Sequence, residues 1–136
     1  LNYNNFHSDK TRWDNLNSTC KICKVKRVIK YNSINKEKCN INNNRYRALK
    51  NNAITNKYTY EDDKQTEWLR SFLQNEIGIK LHRDHITPLS KKGKHDRYNW
   101  QILTAEDNWK KNDKLNYKAI PIVSNKELCW FLDNVV

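Results

Sequence analysis

Between Asp63 and Glu76 the apolar residues Trp68, Leu69, Phe72 and Leu73 recur at helical spacing, with Ile77 just beyond. This pattern predicts an amphipathic helix whose apolar face covers a core. Glu61, Asp62 and Asp63 fit its first turn, where negative charge complements the helix dipole, and Gly78 can terminate it. The run I-K-L-H-R-D-H-I from Ile79 to Ile86 predicts a short strand, after which Pro88, Ser90 and Gly93 open a polar loop. Trp100 to Leu103 predicts a second strand. Thr104, followed three residues later by Asp107, resembles an N-cap with an acidic N3 and predicts a helix from Ala105 to about Leu115. The order over residues 79–115 is thus strand, loop, strand, helix. Upstream, Asn40 to Asn44 and the pair Asn51-Asn52 read as turns around a short basic helix carrying Tyr46 and Leu49. Past Tyr117 the chain is a mixed apolar tail in which Glu127 to Leu132 forms a closing helical turn. There is no internal repeat and no long flexible linker.

A chain of 136 residues has room for one modest domain and an appended arm. Its mean hydropathy of -1.06 leaves few aliphatic residues for burial, so the 5 Trp, 7 Tyr and 3 Phe must supply much of the core. The net charge of +11 implies a polyanionic partner, since each Lys or Arg placed on a phosphate releases condensed counterions. No transmembrane span or signal-peptide core is visible, which argues against a membrane partner. Residues 1–60 hold 13 Lys/Arg against 3 Asp/Glu and form the expected nucleic-acid arm. The division that follows is a basic arm over 1–60, a core over 61–118 and a C-terminal tail over 119–136. The chain opens on Leu1, not Met, and reads as a fragment or a processed product. Four cysteines and no secretory signal point to a reducing, cytoplasmic setting, with phage or mobile-element coding compatible.

The chemistry lies in three linked segments: D-H-I-T-P-L-S-K-K-G from Asp84 to Gly93, N-W-Q-I-L-T-A-E-D-N from Asn99 to Asn108, and W-K-K-N-D-K to Lys114. Together they resemble the HNH nuclease family, which includes domains of homing endonucleases, phage nucleases and RNA-guided CRISPR effectors. The resemblance covers roughly 30 residues of one ββα unit. It implies an α+β fold, a small ββα-metal core with a basic, partly helical N-terminal extension. It also implies a metal-dependent endonuclease acting on DNA, double-stranded in the first instance. Cutting a phosphodiester needs a base for the attacking water and something to neutralise charge at phosphorus and the leaving 3′ oxygen. His85 has suitable basicity, and the family likeness assigns it the role of base. Asp84 is a hard oxygen donor for Mg2+ or Mn2+. Asn108 stands where many family members carry the final His and is the expected second ligand. Asn99 aligns with the middle Asn, which holds the base in orientation. Asn112, one turn beyond Asn108, is expected to assist the metal shell or touch a phosphate. Lys91, Lys92, Lys94, Arg97, Lys110, Lys111 and Lys114 surround this site in sequence and are the expected grips on the DNA backbone.

Other readings compete with these. A lone D-H pair is more often ordinary surface, and adjacent strand residues point to opposite faces unless the strand ends there. His82 reads as a polar strand residue facing away from His85, and His7 and His95 have no argument beyond residue type. Cys20 and Cys23 have the spacing of a zinc knuckle, with Cys39 as a third ligand, so structural Zn2+ competes with free thiols. The family's second C-x-x-C is replaced by Thr104 and Asp107. Trp100 and Trp109 are expected to pack strand against helix, and Trp13 alone to meet nucleic acid. The rival function is a non-catalytic nucleic-acid-binding module working through the arm. A toxin nuclease domain at the end of a longer polypeptide is a third reading.

Overall fold

The computed structural model describes residues 2–135 and divides into two compact units, the first ending at Lys36 and the second beginning at Glu37. The first unit holds an antiparallel hairpin of β1 (Phe6–Ser8) and β2 (Leu16–Cys20), followed directly by helix α1 (Lys21–Ile34). Its turn is tied by local bonds: Asp9 Oδ1 accepts from the Thr11 N–H and hydroxyl. Neither strand was expected from the sequence.

The second unit contains α2 (Lys36–Lys50, entered at its first residue from the other unit), α3 (Tyr60–Ile77), β3 (Leu81–His85), β4 (Trp100–Thr104), α4 (Ala105–Lys111) and α5 (Asn125–Asn134). The fold class is α+β, as expected. Strands β3 and β4 pair antiparallel, Leu81 opposite Thr104 and His85 opposite Trp100. Helix α4 follows β4 without a gap because Thr104 caps it, its hydroxyl accepting from the Asp107 N–H at 3.0 Å. Helix α5 opens on a capping box between Ser124 and Glu127.

Three expectations need correction. Asn40 to Asn44 do not form turns but lie inside α2, since Ile41 and Ala48 bury one face of that helix and Asn40 donates to the buried Glu67 at 2.9 Å. Tertiary partners here override the weak helix propensity of Asn. Helix α4 stops at Lys111, not Leu115, where Asn112 takes a positive φ of 48°. The third concerns α3. Its caps are as expected, with acidic residues in the first turn and Gly78 left-handed at φ 73°. Its buried face, however, is Asp63, Thr66, Glu67 and Arg70, while Trp68, Phe72 and Ile77 are exposed. The helix turns a polar row inward because β3 and the following loop offer it charged partners. Trp68 instead stacks on Phe131 of α5, and Leu69 reaches the core. Trp109 is largely exposed and meets the strand through an edge-on ring contact with His82, centroids 6.2 Å apart, whereas Trp100 is fully buried.

One apolar cluster joins Trp100, Leu128 and Leu132, flanked by Tyr58, Leu69, Val123 and Phe131, and Ile41, Leu81, Ile102 and Leu103 are buried as well. With so few members, each carries much of the stability. Leu128→Ala should cost about 2–5 kcal/mol, whereas Trp130→Ala, at an exposed site on the same helix, should stay within about 0.5 kcal/mol of wild type. Urea denaturation of the two variants checks this, and equal losses would contradict it.

Candidate active site

The cleft with most of the chemistry lies in the second unit, has a volume of about 640 Å³, and is lined by Asp84, His85, Asn108 and Asn112 together with Asn44 and Arg47 of α2. Asp84 and His85 end β3, and Asn108 projects from α4. The adjacent residues both reach the cleft because the strand stops there, and the chain turns away through Thr87 and Pro88.

That turn is held by Asn99. Its Oδ1 accepts from the Thr87 N–H at 2.8 Å, and its Nδ2 donates to the carbonyls of Thr87 (2.9 Å) and Lys94 (2.7 Å). The carboxamide thereby ties both ends of the loop to the start of β4. Gly93 completes the closure: a Cβ there would lie 1.8 Å from the Thr87 carbonyl oxygen, so the loop cannot take this path with a side chain present.

Asp84 is buried with its charge compensated. Lys111 Nζ sits 3.0 Å from one carboxylate oxygen and donates to the His85 carbonyl at 2.7 Å, and Gln101 Nε2 donates to Asp84 at 2.8 Å. Lys111, expected on the surface, is therefore one of the most buried cations in the molecule. The other expected grips are spread around the fold. Lys92, Lys94 and Lys114 are exposed; Lys91 and Lys110 are exposed and pair with Asp113 and Glu106. Arg97 is largely enclosed by Asp62 and Asp133. Arg47, by contrast, lines the cleft with no ion pair among the described residues.

Two histidines that sequence reasoning set aside belong to this site. His82 shares a strand face with Asp84, two residues away, and its Nδ1 lies 2.9 Å from Asn108 Nδ2. The two-residue period was the available signal. His95 is fully buried, with Nδ1 2.9 Å from His85 Nε2 and Nε2 3.4 Å from Asp63 Oδ2. No local signal pointed to it, because Asp63 is 32 residues away in sequence. Burial raises the Asp63 carboxyl, but the hydrogen bond from His95 and the charge and hydrogen bond of Arg83 outweigh this and hold it below the usual value. Burial pushes the His85 imidazole down to about 3, aided by His95, Arg83, Arg47 and Lys111. The ring is thus neutral near pH 7.

The donors suit a hard divalent cation. Asp84 and Asn108 supply two oxygens on one cleft, and because Asn108 Nδ2 faces His82, its Oδ1 remains available. Among the described residues no group of three or more His, Cys, Asp or Glu stands together as a metal site. Cys20 caps α1, accepting from the Cys23 N–H at 3.3 Å, while Cys39 lies in the other unit.

Two outcomes follow. Lys111→Ala leaves a buried, unpaired carboxylate and should cost about 3–5 kcal/mol; unfolding free energies measure it, and a loss under about 1 kcal/mol would contradict the buried pairing. For the metal-free protein, His85 binds a proton in the unfolded chain near pH 6.5 but in the native state only near 3. Stability should fall as pH drops through that window, by up to about 1.4 kcal/mol per unit. His85→Ala should lack this slope, and an identical slope in the variant would contradict the assignment.

Residues 73–114 match a family model described as HNH endonuclease. No curated protein and no solved structure matches the chain. Among the described residues no helix is long and apolar enough to cross a membrane.

Proposed function

We propose, from the match of residues 73–114 to the HNH endonuclease family model, that this protein is a metal-dependent endonuclease hydrolysing phosphodiester bonds in double-stranded DNA. The observation that carries the reading is the convergence of Asp84, His85 and Asn108 on one cleft, within the matched segment, around a loop clamped by Asn99.

In this reading a phosphate of the DNA backbone enters the cleft, where Arg47 offers an unpaired guanidinium to its oxygens. His85, neutral in its enclosed position, takes the proton of the attacking water. Asn99 keeps the His85 segment from moving by fixing the chain on both sides of the loop. Asp84 and Asn108 would hold a divalent ion, Mg2+ or Mn2+, which would supply charge neutralisation at phosphorus and at the leaving 3′ oxygen. Asn112 at the rim supports that ion or the phosphate. Hydrolysis leaves 5′-phosphate and 3′-hydroxyl ends. Lys111 Nζ beside Asp84 would weaken the hold of this pair on a cation in the absence of DNA. Lys91, Lys92, Lys94, Lys110 and Lys114 extend the cationic surface along the DNA, with the N-terminal unit as a further basic element.

The test is conversion of supercoiled plasmid by wild type and His85→Ala, each with Mg2+, Mn2+ or EDTA. Nicked or linear product should form only with metal-loaded wild type, and His85→Ala should fall by about 10²- to 10⁴-fold. If wild type retards the plasmid without cutting under any metal, the protein is a nucleic-acid-binding module instead.

A further inference from the structure

His95 has no part in the mechanism above, yet its ring is held on every side. Its backbone N–H donates to the Ala53 carbonyl at 2.8 Å, and the Thr55 hydroxyl fixes the neighbouring Asp96 at 2.8 Å. The ring stacks on Tyr58 with centroids 5.3 Å apart and meets Trp100 edge-on at 5.2 Å. One nitrogen is thereby presented to Asp63 and the other to His85.

We propose that Asp63 and His95 form a tautomer relay that places the single proton of neutral His85 on Nε2 and leaves the lone pair of Nδ1 as the catalytic base. The proposal rests on the nuclease reading for its catalytic consequence, but not for the relay itself. A carboxylate only accepts hydrogen bonds. Asp63 takes one from Arg83, one from the Tyr58 hydroxyl at 3.0 Å, and one from His95 Nε2 at 3.4 Å. His95 Nε2 therefore carries a proton. In the proposed relay His95 has that one N–H only, so its Nδ1 is an acceptor and His85 Nε2, 2.9 Å away, is the donor; a second proton on His95 would reverse this bond and place the His85 proton on Nδ1. Among the described residues His85 Nδ1 has no hydrogen-bond partner, and it keeps its lone pair. The opposite order would set a lone pair of His95 against the Asp63 carboxylate and put the His85 proton on Nδ1, where it could accept nothing from water.

When Nδ1 takes the water's proton, the N–H at Nε2 of the resulting imidazolium stays hydrogen-bonded to His95, with the negative Asp63 behind it. No proton has to reach Asp63. His95 and Asp63 touch neither substrate nor reacting atoms and are positioning residues.

The test is the ¹⁵N spectrum of the imidazole rings in the full, metal-free chain at neutral pH. His85 should show a protonated Nε2 and an unprotonated Nδ1; a proton on Nδ1 overturns the relay. His95→Phe keeps a ring to pack against Tyr58 and Trp100 but removes both nitrogens. In that variant the two His85 tautomers should mix, and kcat for DNA cleavage should fall by about 10- to 100-fold with KM unchanged. A folded His95→Phe with an unchanged His85 spectrum and unchanged kcat also overturns the relay, and if the variant does not fold, the wild-type spectrum decides. A wild type with the proton on Nε2 that never cuts DNA supports the relay and removes the nuclease reading. A cutting wild type with the proton on Nδ1 does the reverse.

Discussion

A carboxylate cut off from water must be compensated by the protein, and Asp63, fully buried on α3, is compensated by three separate parts of the chain. Arg83 comes from β3, His95 from the loop between the strands, and Tyr58 from the segment before α3. The same Arg83 stacks on Trp100, the largest residue of the apolar core, with its guanidinium 4.5 Å from the ring centroid. Core and site are therefore not separable: the helix that would ordinarily contribute an apolar face contributes a charge that locks the strand and the loop together. In a domain with so few aliphatic residues, this buried polar network does part of the positioning that packing does elsewhere.

The strand–loop–strand–helix segment that lines the cleft was largely legible in the sequence and the network was not. The D-H pair, Asn99, the Thr104 cap and Asn108 sit within one strand–loop–strand–helix unit, where local patterns report local structure. The first of these strands falls within its expected stretch, with Ile79, Lys80 and Ile86 outside it, and the second runs one residue past its own, to Thr104. Failures concentrate where a residue's partner is distant. The inward row of α3 runs against the hydrophobic periodicity because Asp63, Glu67 and Arg70 are satisfied by partners among themselves, on α2 and on β3. Lys111 could not be distinguished from its neighbour Lys110 by type, yet one is buried on Asp84 and the other lies on the surface with Glu106. Asn40 to Asn44 misled for the complementary reason, as turn-forming residues drawn into a helix by Ile41, Ala48 and Glu67.

The electrostatics of the cleft fit a polyanion better than a neutral ligand. Asp84 is already balanced by Lys111, His85 is uncharged, and Arg47 has no ion pair among the described residues, so the walls present positive charge around two oxygen donors. Such an arrangement favours an ion that arrives with, and is shared by, phosphate oxygens. Burial keeps His85 neutral, and the positive charges of Arg83, Arg47 and Lys111 around it act in the same direction.

The most direct measurement is a crystal structure of His85→Ala bound to a DNA duplex in Mg2+. The expected result is a backbone phosphate in the cleft between α2 and α4, with an ion shared by Asp84, Asn108 and that phosphate. DNA bound elsewhere on the protein, with the cleft free of both phosphate and metal, would contradict the account.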